Sequence, residues 1–166
     1  MILEFWINGE MKRTSEWSEV EVAIGRVLAE LESERAVPVG FDAGSIAAFH
    51  FFDIPAGSEV PRTAENALHV GLNRTTGYGG MTWRGEQIPE SPNQFCWVTK
   101  SNNPPSFDPR VTADPGYPLW YDKQNVIPVD EVEAALKEFC LSKGKRPTVV
   151  EWEPGTANGQ SLSLMG

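Results

Sequence analysis

Apolar residues recur at two different periods along the chain, and one stretch contains both. Between Ile127 and Glu153, the residues Val129, Val132, Leu136, Phe139 and Cys140 fall at three- and four-residue steps. That is the spacing of a helix with one buried stripe. Pro128 precedes it, and Asp130, Glu131 and Glu133 put negative charge at the positive end of the helix dipole. Lys143 and Gly144 supply a left-handed C-cap, and Pro147 forbids continuation. From Thr148 to Glu153 the period becomes two, with Val150 and Trp152 on one face and Glu151 and Glu153 on the other. The pattern predicts a helix over 129–142 lying across the sheet that this strand joins, with Leu136, Phe139, Val150 and Trp152 in the core.

The same two periods organise the earlier chain. Ile2 to Asn8 alternates, with Leu3, Phe5 and Ile7 on one face and Asn8-Gly9 as a turn. Ser18 and Glu21 fit a capping box, opening a helix that stacks Val20, Ile24, Val27, Leu28 and Leu31. Glu19, Arg26, Glu30 and Glu34 lie on its other side, and Val37-Pro38-Val39-Gly40 is the expected stop. Ile46 to Ile54 reads as a strand. Leu68, Val70 and Leu72 alternate with His69 and Gly71, and Met81 to Arg84 follows as a hairpin partner. Phe95 to Thr99 is apolar on both faces, as a central strand would be. The predicted class is α+β: a largely antiparallel sheet with an N-terminal helix and the Val129–Ser142 helix packed on it. One domain over 1–154 is expected, with a frayed tail over 155–166 that shows no period.

Regular patterning fails between Gln87 and Pro118. Seven of the thirteen prolines lie from Pro89 to Pro118, and each lacks an amide donor for a ladder. Residues 73–125 also hold eight of the seventeen aromatics. Long ordered loops of this kind are commonly functional.

Composition narrows the chemistry. The net charge of −9 argues against nucleic acid as a direct ligand, since a phosphate backbone demands a basic surface. It suits a basic protein partner, although plain solubility is the simpler reading. Acidity is greatest over residues 1–36, with eight acids against four bases. Cys96 and Cys140 sit in apolar segments, where reduced thiols are expected, and no metal spacing is present. No apolar run approaches membrane-spanning length. The opening residues run apolar then basic, the reverse of a secretory signal, which predicts a cytoplasmic protein.

Catalytic arrangements have blander explanations. Thr76 to Gly80 lacks the lysine of a phosphate loop and reads as a hairpin turn. His50 and His69 have no neighbouring nucleophile, and Glu151 with Glu153 has no acid–base partner, so neither supports an enzyme or a cofactor. Aromatics mixed with carboxylates are what protein interfaces use. The candidate partner-binding residues are therefore Glu86, Glu90, Phe107, Asp108, Asp114, Tyr117, Trp120, Tyr121 and Asp122. For that loop, interface and core are open alternatives; for Trp83 and Trp120 individually, core is preferred.

Ile127 to Glu131, the helix after it, and Gly144-Lys145-Arg146-Pro147-Thr148-Val149-Val150-Glu151-Trp152 resemble the C-terminal signature of an immunity-protein family. It is the family numbered first, Imm-one, in bacterial polymorphic toxin systems. Leu68 to Leu72 and Gly80 to Trp83 resemble its central hairpin, so the likeness covers roughly residues 67–153. The resemblance implies a small non-enzymatic antidote that binds a cognate toxin, a deaminase or nuclease, and blocks its active site. Such a toxin needs a basic substrate cleft, which an acidic protein can occupy. Arg146 and Trp152 match the family framework and imply folding roles. A protein-interaction or regulatory domain with no toxin partner is the alternative, and a small ligand-binding enzyme would require a polar pocket.

Overall fold

The computed structural model describes residues 1–36, 40–52, 66–85 and 91–166. Strand β1 (Ile2–Ile7) turns through Asn8-Gly9 into β2 (Glu10–Thr14), and both turn residues have positive φ, 51° and 79°. That conformation matches the right-handed twist of a two-residue hairpin. Helix α1 (Trp17–Glu30) follows, then β3 (Ser33–Ala36), β4 (Phe41–Gly44), β5 (Ala47–Phe52), β6 (Asn66–Asn73) and β7 (Tyr78–Arg84). Next come β8 (Cys96–Lys100), β9 (Thr112–Asp114), β10 (Leu119–Trp120), β11 (Ile127–Pro128), α2 (Val129–Leu141) and β12 (Glu151–Pro154). The main sheet has the order β12-β8-β7-β6-β5-β1-β2, with β11 also paired to β7. Its pairings are antiparallel, and with the two helices this is the expected α+β architecture.

Alternation assigns the faces. Leu3, Phe5, Ile7, Phe49, Leu68, Val70, Leu72, Met81, Trp83 and Trp97 point to the side covered by the helices. There they bury Val20, Ile24 and Val27 of α1 and Val132, Leu136 and Phe139 of α2. Lys143 and Gly144 after α2 both have positive φ, 57° and 94°. The Gly144 carbonyl then accepts the Trp83 indole N–H at 3.0 Å and the Asn66 amide at 2.9 Å. The Arg146 guanidinium lies 4.2 Å from the Trp97 ring centroid, locking the chain after α2 onto the sheet.

Four expectations change. The first helix starts at Trp17 with Glu16 as an extended N-cap and no side-chain cap. Thr14, buried at the end of β2, accepts the Glu16 N–H instead, so Ser18 falls inside the first turn. The helix also stops at Glu30 rather than near residue 37, because buried Leu31 turns extended and Ser33–Ala36 pairs with Phe41–Gly44. Trp152 is half-buried, packed against the core edge with its N–H on the Pro147 carbonyl at 2.8 Å. The expected strand over 95–99 is shifted by one residue and runs between β7 and β12.

Candidate partner interface

On the sheet's other face, Gly71 and Gly80 leave a smooth surface. A Cβ on Gly71 would sit 2.0 Å from the Thr112 carbonyl oxygen, and one on Gly80 would sit 2.5 Å from the Tyr121 ring. The proline-rich segment therefore lies flush against β6 and β7. Val98, Val111, Ala113, Tyr121 and Val126 form a small core beneath it.

Side chains replace the missing ladder. Ser33 donates its hydroxyl to the Leu72 carbonyl at 2.6 Å and accepts the Thr112 N–H at 3.0 Å. Asn73 and Thr76 donate to the Pro109 carbonyl at 2.8 and 3.1 Å. Buried Asn125 donates to the Thr99 carbonyl at 2.8 Å and to the Glu153 carboxylate at 2.6 Å. Glu153 thus joins the structure and is not a plain solvated edge.

The segment 155–161 folds back along the sheet edge. Gly155 N–H bonds to Cys96, Gly155 bridges to Ser161, and Gln160 donates its amide to the Trp120 carbonyl at 3.2 Å. Gly159 has φ 82°, and a Cβ there would meet Ala113 at 2.8 Å and Tyr121 at 2.9 Å. The absence of a period hid this contact, because glycines and side-chain amides make it.

Between the loop and this tail lies an open groove of about 490 Å³. Asp108, Trp120, Tyr121 and Asp122 from the sequence reading line it, together with Gln160, Leu164 and Met165, which that reading missed. The apolar Leu162, Leu164 and Met165 near the end of an otherwise polar tail were the available signal.

Each candidate aspartate also holds local backbone. Asp108 Oδ1 accepts the Arg110 N–H at 2.9 Å, Asp114 Oδ1 accepts from Gly116 at 3.0 Å, and Asp122 Oδ1 accepts from Gln124 at 2.9 Å. These are Asx turns, which Asp forms readily. Arg110, at φ 52°, places its guanidinium 3.9 Å from the Trp120 ring centroid.

Not every candidate reaches the groove. Phe107 is exposed beside it and packs edge-on against Tyr78, with centroids 5.9 Å apart. Asp114 and Tyr117 belong to the β9–β10 turn, where Tyr117 is 75% exposed. Tyr121 lies at the base of the groove: it is 2% exposed and its hydroxyl bonds Thr82 at 2.9 Å. Burial pushes its phenol well above the ordinary range, so it stays neutral core. Trp120, for which core was preferred, is half-buried and lines the groove. Glu86 and Glu90 lie outside the described residues.

His50 and His69 share the same sheet face further along, with ring centroids 5.9 Å apart. Burial lowers both, His69 to about 4. Among the described residues no group of three or more His, Cys, Asp or Glu is placed to hold a metal ion. No helix among them is long and apolar enough to cross a membrane.

A protein-family model described as Immunity protein Imm1 matches residues 9–154. The chain belongs to the Imm1 family of immunity proteins. The Imm1 match takes in the central hairpin and the unit from α2 to β12, and extends through the N-terminal third to β2. No curated protein and no solved structure matches the chain. Membership of an immunity-protein family implies a cognate toxin as partner. Arg146, stacked on Trp97, and Trp152, packed against the main core, are not among the residues that line the groove.

Proposed function

We propose that this Imm1 protein acts in the cytoplasm by binding a basic, nucleic-acid-targeting toxin, a deaminase or nuclease, and occluding its active site without chemistry of its own. The observation that carries the reading is the groove. Trp120, the exposed carboxylates Asp108 and Asp122, the apolar Leu164 and Met165 and a single basic residue, Lys123, all line it, on a chain of net charge −9. Aromatic anchors bordered by charge are the composition of interface hot spots. A basic cleft built for phosphates would be drawn to such a surface, raising the association rate. Phe107, Asp114 and Tyr117 extend the contact along the exposed loop. Tyr121 supports it from below.

The test is co-expression with the toxin encoded beside this gene, co-purification, and calorimetry of the complex. Asp108→Asn with Asp122→Asn keeps both Asx turns, since Asn accepts the same amide bonds. The double variant should bind more slowly and lose salt dependence, while remaining as stable as the parent. Adding Trp120→Ala should weaken affinity by about 2 kcal/mol or more, the scale of a hot-spot residue. If the alanine triple variant at Trp120, Asp108 and Asp122 folds and binds undiminished, the groove is not the contact surface. Absence of any toxin-like neighbour would favour a general regulatory domain instead.

A further inference from the structure

The strand β2 ends the sheet opposite to the groove, since β12 and the tail that follows it close the other edge. Edge strands are usually blunted by proline, a bulge or a short length. The β12 edge carries Pro154 and is followed by the folded-back tail. By contrast, β2 contains no proline, and its five residues pair with β1 in unbroken register. Glu10, Met11, Lys12 and Arg13 are all exposed.

Hydrogen-bond alternation fixes which groups face outward. Ile7 and Glu10 flank the two-residue turn and form the closing pair, so Glu10, Lys12 and Thr14 direct their backbone groups toward β1. Among the described residues no strand pairs with the far side of β2, so Met11 and Arg13 present their N–H and C=O groups at that edge. Side chains divide the other way: Glu10 and Lys12 lie on the helix side, whereas Met11 lies beside Trp6 on the opposite face. Both apolar side chains are 42% exposed.

We propose that β2 pairs antiparallel with β2 of a second copy, about a two-fold axis through Met11. In that register Met11 faces its own copy as a hydrogen-bonded pair, and Glu10 stands opposite Lys12 of the other chain on both sides of the axis. The four residues Trp6, Met11 and their two symmetry mates then form one apolar row across the junction. The neighbouring register would set Lys12 against Lys12, which directly opposed like charge disfavours. A lysine normally guards an edge against strand addition. Here Glu10, two residues earlier, converts it into a self-complementary mark that admits one register only. Glu10 already pairs with Arg26 at 3.0 Å, and its largely exposed carboxylate has room for a second cation.

Sedimentation of the full chain across micromolar to millimolar concentration should show the mass rising toward twice the 18.4 kDa of one chain. Lys12→Glu, which leaves the Arg26 pair untouched, should raise the dissociation constant by about tenfold, because two attractive pairs become repulsive. The double exchange Glu10→Lys with Lys12→Glu should recover most of that loss. A parent chain monomeric at every concentration would overturn the proposal. So would a dimer that Lys12→Glu leaves unchanged, or one that the double exchange fails to restore. Toxin binding at the groove is read separately and does not depend on this edge.

Discussion

On one face of the sheet, α1 and α2 bury a continuous stripe from Leu3 through Leu68 to Trp97, built mainly from repeating apolar side chains. On the other, residues 101–126 cover β6 to β8 with four core side chains packed on Val98, close approach at two sheet glycines and a set of side-chain hydrogen bonds. The difference lies in what holds each layer. Apolar area is non-directional and tolerates small shifts, whereas the loop layer depends on individual donors whose loss leaves a buried carbonyl unpaired. The helix side is built for stability, and the loop side holds a particular shape against solvent.

The largest effects should come from truncating an aromatic in each layer. Phe139→Ala and Tyr121→Ala should each cost about 3–5 kcal/mol in denaturant unfolding. Hydrogen exchange should separate them: Tyr121→Ala should expose amides of 111–126 while α2 stays protected, and Phe139→Ala should loosen the whole sheet. Uniform loss of protection in both variants would mean the two layers are one cooperative unit.

A smaller effect sharpens the same contrast. Gly71→Ala drives a methyl group into the Thr112 carbonyl and touches no helix contact. It should cost about 1–3 kcal/mol, the range for forced overpacking, with toxin affinity falling further than stability alone would predict.

The smallest effect is acid sensitivity confined to the loop-side face. Burial, then His50 and Arg84, hold His69 down at about 4, while an imidazole in the unfolded chain titrates near ~6.5. Below that value the unfolded state takes up the proton more readily. Stability is therefore full above about pH 6.5 and declines as pH falls toward 4. His50 shifts the same way and adds to the slope. His69→Gln should flatten the fall in Tm over that window. An unchanged Tm profile in the variant would remove His69 as its source.

The helix layer was legible because burial there follows period. Val132, Leu136 and Phe139, and the alternation of Leu68 with Val70, point to one face wherever they are read. The helix ends were less so. Ser18 with Glu21 fits a capping box, yet the helix opens at Trp17 behind an uncapped Glu16 whose N–H bonds Thr14, which leaves Ser18 inside the first turn. The groove was half legible: Trp120, Asp108 and Asp122 stood out as aromatic and acidic loop residues. What joins them to Gln160 and Leu164 is a return of the tail directed by Gly155 and Gly159. Glycine contacts leave no hydrophobic pattern. Tyr121 looked like its neighbours in sequence, and only its register above Gly80 shows that it points inward.

The Ser33 hydroxyl joins the Leu72 carbonyl to the Thr112 amide, two segments that meet only after long stretches of chain have closed. The last wall of the groove, from Gln160 to Met165, arrives later still. Contacts of such separation form slowly and late, and a nascent chain emerges from its N-terminus onward. The groove is thus absent from every partial chain, however much of the helix layer has assembled. If binding happens there, protection begins only once the chain through Met165 has been made and has folded back, and the time needed to finish this one surface sets how soon a newly made molecule can act.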